Sequence, residues 1–183
     1  MATIYEKYKT EVSAEMKKAL NLSNNLQVPK IEKVVVNVGI GKFIKDSALV
    51  TDIFNSLKAI TGQKPVMTKA KQSIAGFKTR EGLEIGIKIT LRGKRKWDFL
   101  EKLVGASIPR IRDFHGIKVG AVDKGGNLNL GIKEHLIFPE ILPEQVKTTF
   151  GMQVNVVTNA KTQADGLMLF RLLGFPIEKN DKK

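Results

Sequence analysis

Between Glu84 and Arg92 the chain alternates with a period of two, with Ile85, Ile87, Ile89 and Leu91 on one side and Glu84, Gly86, Lys88, Thr90 and Arg92 on the other. Such alternation predicts a strand with one side in a core and the other free to meet a partner. The segment IEKVVVNVGIGKF from Ile31 repeats the pattern, placing Val34, Val36, Val38 and Ile40 opposite Lys33, Val35, Asn37 and Gly39. If these strands pair in one sheet, Lys33 and Asn37 join Lys88, Thr90 and Arg92 on a single polar side.

Helical spacing accounts for most of the remainder. Tyr5, Tyr8, Val12, Met16 and Ala19 predict an amphipathic first helix over residues 2–20, with Thr3 and Glu6 as a capping box. Its lysines are balanced by Glu6, Glu11 and Glu15, so it reads as a packing element rather than a binding surface. A second helix, capped by Asp46 or Ser47, carries Val50, Ile53, Leu57 and Ile60 and stops at Gly62. A third runs from Lys94 to Ser107 with Trp97, Leu100 and Val104 on one stripe, which makes Trp97 core, and ends at Pro109. PRIRDFHGIKVGAV reads as loop with a short strand; Asp123–Asn127 is a turn before a strand with Leu128, Leu130 and Ile132 alternating. FPEILPEQV reads as a surface excursion, with room for a short helix after Pro143. Val154–Thr158 is a last strand, and Thr162 with Asp165 opens a final helix through Leu167, Phe170 and Leu173, closed by Gly174 and Pro176. With no repeat, linker or composition break, the expected fold class is α+β, one domain over residues 1–177 followed by a disordered charged tail at 178–183.

Charge sharpens the picture. The 183 residues carry a formal net charge of +13. The stretch from Gln63 to Lys96 holds ten basic residues against Glu81 and Glu84, a net of +8. Cations clustered on a hydrogen-bonding sheet face suit a phosphate backbone, because they gain free energy by displacing its counterions. An anionic membrane surface is the competing partner, but no apolar run approaches the ~18 residues of a span. MATIYEKYK also lacks the order of a signal peptide, so a soluble, intracellular (cytoplasmic) protein is expected.

Other chemistry is sparse. There is no cysteine, and His115 and His135 have no ligand-like spacing, so no metal and no cofactor are expected. Asp113 with His115 and Glu134 with His135 are the acid-and-histidine neighbours, in polar or glycine-containing contexts that predict solvated roles. Gly39 and Gly41 complete neither a dinucleotide fingerprint nor a phosphate loop, and read as a bulge or close backbone approach.

VPKIEKVVVNVGIGK (28–42), ITGQKPVMTKAKQSIAGFKTREGLEIGIKITLRGKRKWDFLEKL (60–103), IPRIRDFHG (108–116) and GNLNLGIKEHLIFPEI (126–141) together resemble one family: the bacterial large-subunit ribosomal proteins that bind 5S rRNA, number five in that subunit's series. The match runs from Tyr5 to Pro176, and TGQKP, SIAGFK, TLRG, PRIRDF and FPEI are specific in combination. The resemblance implies two layers, an antiparallel sheet with helices on one face and a concave RNA-binding face on the other. It implies a non-enzyme that anchors 5S rRNA in the central protuberance beside other 5S-binding proteins, contacts the elbow of P-site tRNA and bridges to a small-subunit head protein. Asn37, Gln63 and Thr90 would be polar contacts to 5S rRNA. Adding the cations of the face and of the basic stretch, the candidate rRNA-binding set is Lys33, Asn37, Gln63, Lys64, Lys88, Thr90 and Arg92. The tRNA-facing loop would be Lys71, Gln72, Ser73, Ile74, Ala75, Gly76, Phe77, Lys78, Thr79 and Arg80, expected to be flexible in the free protein, with Ile74 and Phe77 either packing back or meeting tRNA.

Two details depart from familiar members. Gln72 stands where a basic residue is common, which weakens the charge case at that loop position, and Lys42-Phe43 replaces a smaller, more acidic pair. The amino-terminal helix matches in pattern more than in letters, so no functional residue is carried onto it. Two other classes compete with the structural role: an enzyme holding a phosphorylated substrate on the same basic face, and a free RNA chaperone that binds unrelated RNAs equally well.

Overall fold

The computed structural model describes residues 3–44, 46–77, 79–142, 144 and 146–178. Threonine 3 opens the first helical run with the expected capping box: its hydroxyl accepts from the Glu6 amide at 3.2 Å, and the Glu6 carboxylate accepts from the Thr3 amide at 2.9 Å. The run is not one regular helix. It passes from α1 (Ile4–Lys7) through a π-helical stretch (Tyr8–Val12) into α2 (Ser13–Ala19), and the Ser13 amide reaches back five residues to the Tyr8 carbonyl. A local cause is visible in Thr10, whose hydroxyl donates to the Glu6 carbonyl at 3.0 Å and competes with the backbone ladder there. Val12 and Met16 are buried as predicted, whereas Ala19 is exposed.

Beyond α2 the order is β1 (Ile31–Gly39), α3 (Ser47–Thr61), β2 (Val66–Lys69), β3 (Glu84–Leu91), α4 (Gly93–Lys102), β4 (Leu128–Ile132), β5 (Met152–Thr158) and α5 (Gln163–Leu172). Asp46 caps α3 by accepting from the amides of Ala48 and Leu49, and Gly62 ends it at φ 64°. The strands form one five-stranded antiparallel sheet in the order β2-β3-β1-β5-β4. On β1, Val34, Val36 and Val38 are buried; on β3, Ile87, Ile89 and Leu91; on β5, Met152, Val154 and Val156; on β4, Leu128, Leu130 and Ile132. Period-two alternation therefore sets the core side of the sheet, as the sequence predicts.

The chain divides into two compact units that interleave in sequence. One holds the residues up to Val34, Arg92–Leu130 and those from Asn155 onward; the other holds Val35–Leu91 and Gly131–Val154. In the first, Trp97 is core, its ring centroid 5.4 Å from Tyr5 and 5.6 Å from Tyr8. The Tyr8 hydroxyl donates to the Pro29 carbonyl at 3.3 Å. After Lys102 the helix widens into a second π-helical stretch (Leu103–Ser107), so Leu103, not the expected Val104, is the buried residue. Likewise Leu169, not Leu167, joins Phe170 and Leu173 in the core around α5.

The Asp123–Asn127 turn is fastened more tightly than its composition suggests. Asp123 accepts from the Asn127 amide at 2.8 Å, which holds its carboxyl below the usual range; Thr158 donates to the Gly126 carbonyl at 2.9 Å, and Gln163 to the Val122 carbonyl at 2.7 Å. Gly126 (φ 74°) then meets Gly166 of α5, where an added Cβ would lie 2.5 Å from the Gly126 Cα.

Several expectations are corrected. Gly39 and Gly41 border open space rather than a close backbone approach, and the chain there makes a turn with the Phe43 amide on the Ile40 carbonyl. FPEILPEQV is not wholly a surface excursion, since its first residue, Phe138, is buried; Pro143 and Gln145, where the possible short helix would begin, lie outside the described residues. Glu178, expected to begin a solvated tail, is pinned by its amide to the Ile117 carbonyl at 2.9 Å; residues 179–183 lie outside the described residues. His135 is 1% exposed, not solvated, because Phe150 stacks on its ring at 3.9 Å and donates its amide to Nδ1 at 3.4 Å. His115 is exposed, as expected.

Two outcomes follow from this packing. Gly166→Ala places a methyl group against the Gly126 backbone and lowers the unfolding free energy by about 1–3 kcal/mol. Gly105→Ala, with nothing within 4 Å of an added Cβ, is neutral or stabilising, and urea titration of both variants checks the contrast. Burial pulls the His135 pKa below its ordinary 6.5, so the unfolded chain takes up the proton first and stability falls as pH drops below about 6.5. The urea midpoint of the native chain should fall more between pH 7.5 and 5.5 than that of His135→Gln; equal falls would remove His135 as the cause.

Candidate nucleic-acid interface

On the sides of β1 and β3 opposite the core, alternation leaves Asn37 and Lys88 exposed and Lys33 and Thr90 half-buried. Asn37, Lys88 and Thr90 belong to one compact unit, so neighbouring strands of that unit present an amide, an ammonium and a hydroxyl to solvent. The edge strand β2 extends this side. Its register pairs Val66 with Lys88 and Thr68 with Gly86, so Val66, 65% exposed, stands beside the Lys88 cation. Gly86 has no room for a side chain, because a Cβ would sit 2.7 Å from Thr68 Oγ1 and 3.3 Å from the Val38 carbonyl oxygen. The face is therefore low at Gly86, with Lys88 and Thr90 rising beyond it along the strand.

Gln63 and Lys64 follow the turn at Gly62. Gln63 donates its side-chain amide to the Thr90 carbonyl at 3.1 Å, which braces the end of β3, while Lys64 is exposed. Lys33 and Arg92 belong to the other unit, each presented by its own segment. Arg92 is not a strand residue: it is the N-cap of α4, exposed, with no side-chain capping bond. The next residues, Gly93, Lys94 and Arg95, put cations into a first helical turn that has no acid. Helix ends prefer the reverse arrangement, by about 0.3–1 kcal/mol per charge, so this end is electrostatically suited to an anion.

Lys96 leaves the basic run altogether. Its ammonium donates to the Ile31 carbonyl at 2.6 Å and the Glu32 carbonyl at 3.3 Å and lies 5.2 Å from the Trp97 ring. Burial lowers its pKa, consistent with a structural cation tying α4 to β1.

The loop between β2 and β3 carries hydrogen bonds of its own. Below its tip, the Ala70 amide donates to the Leu83 carbonyl at 2.8 Å and the Gly82 amide to the Ala70 carbonyl at 3.0 Å. At the tip, Ile74 and Thr79 exchange backbone bonds at 3.1 and 3.2 Å, and Ser73 accepts from the Glu81 amide at 3.0 Å. Ala75–Phe77 form one 3₁₀ turn. Lys71, Gln72, Ser73, Ala75, Gly76 and Arg80 are exposed, Thr79 is half-buried, and Lys78 lies outside the described residues. Phe77 is 79% exposed and Ile74 47%, so the Phe77 ring does not pack back on the protein.

The polar positions of β4 and β5 escaped the sequence-based expectation. Asn155 donates its side-chain amide to Asn129, and Gln153 is exposed on β5. Alternation in NLNLGI and MQVNVVT was the available signal, since each polar residue there falls opposite a buried one. No group of His, Asp or Glu residues among those described could hold a metal ion, and no described helix is long and apolar enough to cross a membrane.

Comparison with known proteins gives the family. The family model described as ribosomal protein L5 matches residues 24–80, and the model for the carboxy-terminal part of that ribosomal family matches residues 84–177. The chain is 48% identical over 179 residues to the large ribosomal subunit protein uL5 of Macrococcus caseolyticus, covering 98% of this chain and 100% of that one. It is 44% identical over 179 residues to the protein of the same name from Halothermothrix orenii, again 98% and 100%, and 43% identical to that of Helicobacter hepaticus, 98% and 99%. With both family models matched in sequence order and near-complete coverage of each relative, the chain belongs to the ribosomal protein L5 family.

Proposed function

We propose that this chain anchors 5S rRNA through the open side of β1 and β3, reaches P-site tRNA with the tip of the β2–β3 loop, and takes part in a bridge to a small-subunit head protein. Its role as a structural, non-catalytic component of the large ribosomal subunit in the bacterial cytoplasm follows from the family. The finer assignments rest on chemistry. The observation that carries the 5S reading is the one-sided strand pair: Val34, Val36, Val38, Ile87, Ile89 and Leu91 are buried, while Asn37, Lys88 and Thr90 face outward. Cations there draw in phosphates and the neutral groups fix register, the usual division in protein–RNA contacts. Lys33, Lys64 and Arg92 add charge, and Gln63 holds the β3 backbone at Thr90. The tRNA reading is supported by a hydrogen-bonded loop that presents an exposed ring, since unpacked aromatics serve as stacking surfaces for RNA. The bridge, and partnership with other 5S-binding proteins, are supported by the family resemblance alone.

Filter binding of 5S rRNA across a salt series separates the two kinds of interaction. Lys88→Gln or Arg92→Gln should weaken binding and flatten the log–log salt dependence by about 0.7–0.9 for each phosphate that is no longer neutralised. Asn37→Ala and Thr90→Val should cost about 1–3 kcal/mol with the slope unchanged. The division of roles fails if all four variants share one slope.

The loop is tested apart from the sheet. Replacing Gln72–Thr79 by a short glycine-containing turn spares the Ala70–Leu83 hydrogen bond, so 5S rRNA affinity and incorporation into the subunit should persist while tRNA leaves the P site faster. Lost 5S binding with normal tRNA retention would instead assign the loop to rRNA.

A further inference from the structure

A second basic surface runs along the first helical run and the turn that follows α2. Lys9, Ser13, Lys17, Lys18, Asn21 and Asn25 line an open hollow of ≈ 660 Å³ in one compact unit. The sequence reads this helical run as charge-balanced, with Glu6, Glu11 and Glu15 offsetting its lysines. In the fold, three lysines and no carboxylate line the hollow. All six residues are exposed or half-buried.

Lysines in the last turn of a helix ordinarily complement its carbonyl end. That explanation is weak here. The carbonyls of Met16, Lys17 and Lys18 already accept the amides of Leu20, Leu22 and Asn21, at 3.0, 3.0 and 3.3 Å, as the chain folds back through Asn21 at φ 50°. Among the described residues neither Lys17 nor Lys18 makes an ion pair, and the Lys9 ammonium lies 4.5 Å from the exposed Tyr5 ring. Three unneutralised cations facing one hollow repel one another, and the free energy recovered by bringing in a polyanion is correspondingly large.

From this we infer that the Lys9–Lys17–Lys18 hollow is an additional RNA-binding surface that takes the phosphate backbone of a folded rRNA segment without reading its sequence. Ammoniums interleaved with the hydroxyl of Ser13 and the amides of Asn21 and Asn25 supply donors for successive phosphate and sugar oxygens. A protein partner fits less well: lysine is depleted at protein interfaces, and the lining has no aromatic anchor, only the half-buried Leu22. Membership of a ribosomal-protein family supplies the RNA, and the surface is independent of the assignment of 5S rRNA to the sheet.

Lysine acetylation followed by mass spectrometry tests it on the native chain in four states: free, bound to 5S rRNA, within intact large subunits, and within subunits digested with ribonuclease before labelling. Lys9, Lys17 and Lys18 should react freely in the isolated protein, be protected in the subunit and regain reactivity after digestion. Protection already present with 5S rRNA names that RNA as the source; protection confined to the subunit names the larger rRNA. Full reactivity in intact subunits, or protection that survives complete RNA digestion, overturns the proposal, the latter in favour of a protein partner. A Lys9→Gln, Lys17→Gln, Lys18→Gln triple variant gives an independent reading once circular dichroism shows native helix content. It should leave the subunit at lower salt than the native chain, with a log–log slope shallower by about 0.7–0.9 for each phosphate that is no longer neutralised; an unchanged slope also overturns the proposal.

Discussion

The register of β1 and β3 is the constraint on which the rest depends. Their apolar residues recur every second position, so a slip of one residue would turn Val34, Val36 and Val38, or Ile87, Ile89 and Leu91, out into water. Burial of each such side chain stabilises by about 1.5–3 kcal/mol, which makes the alternative register untenable. The same choice decides which groups face outward. Asn37, Lys88 and Thr90 are displayed because their neighbours are buried, and Gly86 is held where Thr68 and the Val38 carbonyl leave no room for a side chain.

Charge is distributed according to use rather than spread evenly. Lys96 serves β1 by bonding the Ile31 and Glu32 carbonyls, and so is committed within the protein, whereas Lys147 makes an exposed pair with Asp52 at 3.2 Å. Others stand apart from acids of their own element: the first turn of α4 contains no carboxylate, and none lines the hollow beside α2. Local rules of helix electrostatics are broken at α4, where basic residues occupy a first turn that favours acids. Violations of that kind mark places where a partner, rather than the fold, satisfies the charge. A net charge of +13 as a whole suits a polyanionic partner.

The β2–β3 loop shows how an exposed element is made specific without a core. Its apolar residues are too few to pack, so backbone pairing at Ala70 with Leu83 and at Ile74 with Thr79 carries the shape, and the Ser73 hydroxyl closes it by accepting from the Glu81 amide. Phe77 is left outward as a consequence. A tip built this way presents its one aromatic ring to solvent.

By itself the sequence determined what depends on short-range periodicity and local hydrogen bonding. The two-sided strands, the Thr3–Glu6 box, the Asp46 and Thr162 caps, the Asp123–Asn127 turn and the core position of Trp97 all follow from neighbours within a few residues, and its longer motifs carried the family. Tertiary structure decided whatever depends on a partner distant in the chain. His135 reads as polar in sequence, yet Phe150, fifteen residues on, buries and stacks on it. Lys96 reads as one more cation of a basic run until β1, more than sixty residues earlier, supplies carbonyls for it. The lysines of this helical run look neutralised by glutamates nearby in the sequence, but the hollow that three of them line contains no carboxylate. A one-dimensional pattern records which side of an element a residue takes; only the packing of elements determines what that side meets.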